Sequence, residues 1–172
     1  MNALQRPSEG ECPAYYLRYI DQADGRDLIE ALMNASEMVW SVVRRLPPGH
    51  KDHAYAPGKW SVGQLLQHIN DAERVFAYRA MRFARRDATP LPGYDEDAWA
   101  AATAGSTRTV DQLMAEHDAL RAATIALFQG CSADDLLATG TANGHTFSVR
   151  VLGWAIAGHA VHHARVLHER YL

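Results

Sequence analysis

The sequence predicts an all-α fold: a four-helix bundle forming one domain over residues 1–172. Three observations predict it. Four long segments repeat their apolar residues with a helical period, breaks rich in proline and glycine separate them, and no stretch sustains the alternation of a strand. A chain of 172 residues is long enough to enclose a core of its own.

The elements follow in order. Residues 1–26 read as an N-terminal extension with one short helical piece over 13–21. The first long helix covers 27–45, with Leu28, Ala31, Leu32, Ala35, Met38, Val39 and Val42 on its apolar side, and Leu46-Pro47-Pro48-Gly49 stops it. The second covers 61–86. Ser61 and Gln64 form a capping box, and Trp60 can staple onto Leu65. Thr89-Pro90-Leu91-Pro92-Gly93 closes it, and a long loop follows. The third covers 110–128, opened by a second capping box of Thr109 and Gln112 and ended before Gly130. A short turn lies around 133–137. The Asn143-Gly144 pair marks a tight turn, so 139–147 reads as a small hairpin or a looped approach. The fourth helix runs from Ser148 almost to Leu172, with Phe147 and Leu152 as its staple.

Composition narrows the function classes. The net charge of -3, with a pI near 6.3, gives no electrostatic case for nucleic acid, although Arg79 to Arg86 is locally basic. No apolar run approaches the roughly 20 residues of a membrane span. Residues 1–7 lack the apolar core of a signal peptide. The two cysteines, Cys12 and Cys131, fit neither a metal spacing nor a disulfide framework. A cytoplasmic location is expected. The nine histidines are a surplus that asks for a reason.

His159 and His163 stand four residues apart in Gly158-His159-Ala160-Val161-His162-His163, which puts two imidazoles on one helix face. His68 lies on the apolar face of the second helix with Leu65, Ala72, Val75, Phe76 and Phe83. Three imidazoles on core faces each need a partner, because burying an unsatisfied polar ring costs a few kcal/mol. Either each finds a carbonyl or carboxylate of its own, or one metal ion serves all three. Three nitrogens with an open position is the layout of a catalytic metal centre. Around them, His162 falls about 60° off the His159 direction and reads as a boundary or supporting residue. Asp71, about 60° from His68, could orient a ligand histidine. Arg79 points along the His68 face and is a candidate to hold an anionic substrate, with a structural ion pair as the alternative. Glu73 faces another helix or solvent. His168 lies opposite His159, in solvent. His50, His53 and His117 show no pattern, and His145 sits in the Asn143-Gly144 turn. Trp60, Trp99 and Trp154 read as packing anchors.

Four stretches resemble the DinB superfamily, and within it the YfiT-like group of candidate metal-dependent hydrolases: Tyr55-Ala56-Pro57-Gly58-Lys59-Trp60-Ser61, Leu65 through Arg74 around Gln67-His68-Ile69-Asn70-Asp71, Thr89 through Gly93, and Gly158 through His163. The likeness runs from about Asp27 to Leu172. It implies an up-down-down-up bundle, usually dimeric, with a metal triad falling on His68, His159 and His163. It also implies a small-molecule substrate, for some relatives a low-molecular-weight thiol transferred to an electrophile. Nitrogen ligands suit zinc or nickel, and manganese and iron also accept them. The expected function is a metal-dependent hydrolase or thiol S-transferase using a metal-activated water or thiol. The rival reading is a non-catalytic metal-binding stress-response bundle acting through its dimer surface. A homodimer is expected from the family and from the surplus of apolar residues on the first long helix, Met33, Met38 and Trp40 among them.

Overall fold

The computed structural model describes residues 4–8 and 10–172. The long helices are α2 (Leu28–Val43), α3 (Val62–Ala84), α5 (Val110–Gln129) and α7 (Val149–Tyr171). Between and before them stand α1 (Ala14–Ile20), a 3-10 turn at His50–Asp52, α4 (Glu96–Ala102), α6 (Ala133–Leu137) and a hairpin of β1 (Thr139–Ala142) and β2 (His145–Ser148). Both expected capping boxes form. Ser61 Oγ accepts from the Gln64 amide while Gln64 accepts from the Ser61 amide, and Thr109 and Gln112 repeat the exchange. Each box satisfies amides that the first helical turn would otherwise leave orphaned.

Side-chain bonds fix the direction of every helix. Asn70 reaches Leu113 O, Arg74 pairs with Glu116 and Glu73 with Arg121, so α3 and α5 run parallel. Ser36 meets His117 and Leu32 O meets Arg121, so α2 and α5 are antiparallel. Gly153 faces Leu28, and Arg45 meets His168, so α2 and α7 are parallel. His68 meets His159, whereas Phe83 meets Gly140 just ahead of α7, so α3 and α7 are antiparallel. The bundle is therefore up-down-down-up, with α2 and α3 on one diagonal and α5 and α7 on the other.

α7 is the central rod. Every residue from Val151 to Val161 is buried. Leu152, Phe147 and Phe83 are fully enclosed, each contributing about 1.5–3 kcal/mol through burial. Two glycines let neighbours approach α7 closely. A Cβ on Gly153 would meet Leu28 and Phe128, and one on Gly158 would strike the backbone of Tyr19. The second contact seats α1 across α7 one residue before His159.

The structure departs from the sequence reading in three places. The long loop after α3 contains α4, whose Asp95 cap and buried Ala100 hold it against α3, with Gln64 Nε2 bonding Ala100 O at 2.9 Å. The N-terminal segment is built into the domain: Glu11 accepts from Ser148 and Arg150 at the start of α7, and Trp154 Nε1 bonds Leu4 O. On α2, Met38 and Trp40 pack against the core and Trp40 Nε1 donates to Asp118, which leaves Met33 as the exposed member of the expected apolar surplus. No helix among the described residues is long and apolar enough to cross a membrane.

Candidate metal centre

α3 carries His68 and α7 carries His159 and His163 to one point in the bundle. His68 Nε2 and His163 Nε2 each lie 3.0 Å from His159 Nε2, and the three ligand nitrogens fall within 4.8 Å of one another. His68 is 6% exposed and His159 8%, while His163 is half-buried.

The donor set fits a cation. A ring nitrogen has one lone pair or one proton, so His159 Nε2 cannot serve both neighbours well. A single ion accepts all three, and metal–nitrogen bonds of about 2.0–2.1 Å bring ligand atoms to about this spacing. Burial keeps the rings in the neutral form that binds metal. It pushes His68 down to about 4, with Asp97 opposing and His162 adding to the effect. Burial and the neighbouring imidazoles hold His159 and His163 well below the ordinary histidine value. His163 Nδ1 is buried without a partner.

A cavity of about 320 Å³ opens beside His163, lined among others by Tyr55, Lys59, Trp60, Asp97 and Tyr171. Two larger cavities, about 550 and 480 Å³, contain none of the three histidines. The Trp60 ring stands 4.8 Å from His68, which makes it a wall of the site as well as an anchor of α3. On the opposite side Tyr19 of α1 faces His159 at 5.6 Å and His162 at 5.3 Å. Burial and the Tyr15 hydroxyl raise the Tyr19 phenol to about 12, which keeps it a neutral donor.

The other sequence candidates are placed as follows. His162 is half-buried at the rim, its ring 5.0 Å from His163, and burial, Arg18 and Arg165 lower its proton affinity. The Asp71 carboxylate is engaged by Gln67 and Arg74 within its own helix and bonds no ligand histidine. Arg79 is buried beside Phe76 and donates to Pro92 O rather than joining an ion pair. Glu73 is enclosed against Arg121, and His145 is exposed on β2. His117, which shows no pattern in the sequence, is 1% exposed and bonded to Ser36. Tyr19 and Asp97 were not among the sequence candidates. The one signal for Asp97 was the acidic run Asp95-Glu96-Asp97, the capped first turn of a helix too short to show a period.

Comparison with known proteins agrees with this architecture. The model of the DinB superfamily matches residues 31–167, which span α2 through most of α7. A protein of Bacillus licheniformis named as a candidate metal-dependent hydrolase is 30% identical over 118 residues, covering 66% of this chain and 66% of its own length. The structure of YfiT from Bacillus subtilis, described as a candidate metal-dependent hydrolase with an unusual four-helix bundle topology, superposes with a TM-score of 0.67 at 17% identity, covering 99% of this chain and 98% of YfiT.

Proposed function

This chain belongs to the DinB superfamily, and from that premise we propose that it is a divalent-metal-dependent enzyme acting on a small molecule, either a hydrolase or a low-molecular-weight thiol S-transferase. The observation that carries the reading is the convergence of three neutral imidazole nitrogens on one buried point. His68, His159 and His163 would hold the ion, zinc or nickel by preference and manganese or iron as alternatives. When bound, such an ion acts as a Lewis acid that lowers the pKa of a coordinated water or thiol, and so supplies a nucleophile near neutral pH.

The chain's own groups divide the remaining work. Trp60 and Leu65 give the cavity beside His163 part of its apolar surface. Asp97 lines the same cavity, and on this reading its carboxylate is the group that would take a proton from an incoming nucleophile. Tyr19 covers the α1 side with its ring, while its hydroxyl meets Tyr15 and Arg18. His162, at the rim, supports His163 through ring contact. Asp71 would act only indirectly, by fixing Gln67.

The test is metal analysis of the purified protein, followed by assays of ester and amide substrates and of thiol-plus-electrophile pairs, with chelator and with metal restored. Failure to bind any of zinc, nickel, manganese and iron(II) at micromolar concentration sinks the proposal. Stoichiometric metal without turnover in either screen favours the non-catalytic binding role. A homodimer is proposed from the family resemblance, and light scattering that gives a monomer mass across micromolar concentrations would refute it.

A further inference from the structure

Two arginines in this bundle are equally buried, and only one has a counter-charge. Arg121, 4% exposed, clasps both carboxylate oxygens of Glu73 at 3.0 and 2.9 Å and donates to Leu32 O as well. Arg79, also 4% exposed, makes one hydrogen bond, from Nη2 to Pro92 O at 2.8 Å. The groups that act on its charge are the phenols of Tyr16 and Tyr94, and among the described residues no carboxylate bonds it. Burying a guanidinium without a partner is costly, and natural cores pair such charges. The same burial lowers the proton affinity of Arg79.

The unused nitrogens of Arg79 are not sealed in protein. Among the described residues, the fully buried side-chain atoms that lack a partner include His50 Nδ1, Asn70 Oδ1, His117 Nδ1 and His163 Nδ1, and none belongs to Arg79. Its Nε and Nη1 therefore touch space that solvent reaches. The guanidinium carbon lies 5.9 Å from the Phe76 ring, and the same ring lies 6.2 Å from the His159 ring, so Phe76 neighbours both and the guanidinium is at most about 12 Å from the His159 ring. Tyr16, which stands edge-on to Phe76 at 6.4 Å, lines the same apolar side.

We propose that Arg79 is the anchor for an anionic substrate: its free N–H groups grip a carboxylate or phosphate, the apolar body of the molecule lies along Phe76, and its reactive end meets the three histidines. The planar fork of arginine suits both oxyanions, which it can take in a two-point grip. The identification of the histidines as the reactive end rests on the function proposed above. The anion grip itself does not, because it needs no metal.

The test uses the full chain, metal-free and zinc-loaded, titrated calorimetrically with benzoate, phenyl phosphate and the neutral benzamide. The metal-free arm excludes anions that simply ligate zinc. Metal-free wild-type protein is expected to bind at least one of the two anions and not benzamide, with the stronger of the two naming the oxyanion. Arg79→Gln is expected to weaken that binding at least about tenfold, the cost of losing charge-assisted hydrogen bonds, with zinc affinity unchanged. Should Arg79→Gln fold poorly through loss of the Pro92 tether, Arg79→Lys carries the test: it keeps the charge, loses the fork, and is expected to bind the anion with intermediate affinity. Equal anion binding by the folded variants and the wild type overturns the proposal, as does a wild type that does not distinguish benzoate and phenyl phosphate from benzamide. A protein that binds the anion but none of zinc, nickel, manganese and iron(II) overturns the metal reading and leaves the anchor standing.

Discussion

Gly158 lies against the backbone carbonyl of Tyr19, so α1 crosses α7 directly beside the histidine that bridges the triad. A side chain at Gly158 would meet backbone, which cannot rotate out of the way. Gly158→Ala is therefore expected to cost about 1–3 kcal/mol of stability by overpacking. It should also loosen α1, seen as faster hydrogen exchange over Ala14–Ile20 and weaker metal binding. At Gly153 the facing atoms are side-chain ends of Leu28 and Phe128, so Gly153→Ala should leave exchange in α1 unchanged. Unaltered α1 exchange in Gly158→Ala would show that the close approach does not hold α1 in place.

Metal should stabilise the native state, because the three nitrogens are gathered only there. Zinc or nickel is expected to raise the melting temperature of the wild type. His68→Ala, His159→Ala and His163→Ala should each weaken metal binding by at least about a hundredfold, beyond the 10–100-fold typical of losing an outer hydrogen-bond partner. His168→Ala, in an exposed histidine that meets Arg45, should bind as the wild type does. Full metal retention in His163→Ala, read by inductively coupled plasma mass spectrometry, removes His163 from the ligand set.

The Glu73–Arg121 pair joins α3 to α5 through two hydrogen bonds between groups 2% and 4% exposed. Removing one partner leaves the other charge buried. Glu73→Gln is expected to cost about 3–5 kcal/mol in urea unfolding. Glu73→Met combined with Arg121→Met should recover much of that loss, since an apolar pair strands no charge. A double variant no more stable than either single change contradicts this account. Burial alone would raise the Glu73 carboxyl, but the Arg121 guanidinium outweighs it and holds the carboxyl below its ordinary value. Its contribution is therefore complete above the unfolded value, near 4.5, and is lost as pH falls through the lower folded value.

His117 gives a pH dependence of similar direction from a different cause. Burial, reinforced by Arg121 and opposed by Glu73 and Asp118, pushes it down to about 4. The unfolded chain takes up its proton near 6.5, while the native state refuses it down to about 4. Stability should therefore fall as pH drops from 6.5 to 4, by about 3 kcal/mol from this residue alone, and level off below that. In metal-free protein His68, His159 and His163 add in the same sense. His117→Gln should flatten the slope between pH 6.5 and 4 by up to one proton, about 1.4 kcal/mol per pH unit. An unchanged slope, from urea titrations across that range, would show that His117 is protonated in the native state.

The sequence by itself determined the four long helices, the starts at Ser61 and Thr109, and the inward faces of the first, second and fourth; the inward face of the third, which carries His117, Arg121 and Thr124, was not legible. It also determined that His159 and His163 share a face and that His68 lies on another apolar face, because these are properties of one helix and its period. It did not determine what stands opposite. His68 and His159 are 91 positions apart, Glu73 and Arg121 are 48 apart, and Ser36 and His117 are 81 apart. α4 was illegible for a related reason: seven residues give no usable period, and the helix is held by Gln64 and by burial of Ala100 against α3. The direction of each helix, the seating of Tyr19 over His159 and the missing counter-charge of Arg79 were decided only by tertiary packing. Periodicity states which side of an element leaves water; which groups then meet, and which buried groups are left without a partner, is settled only when the faces close on one another.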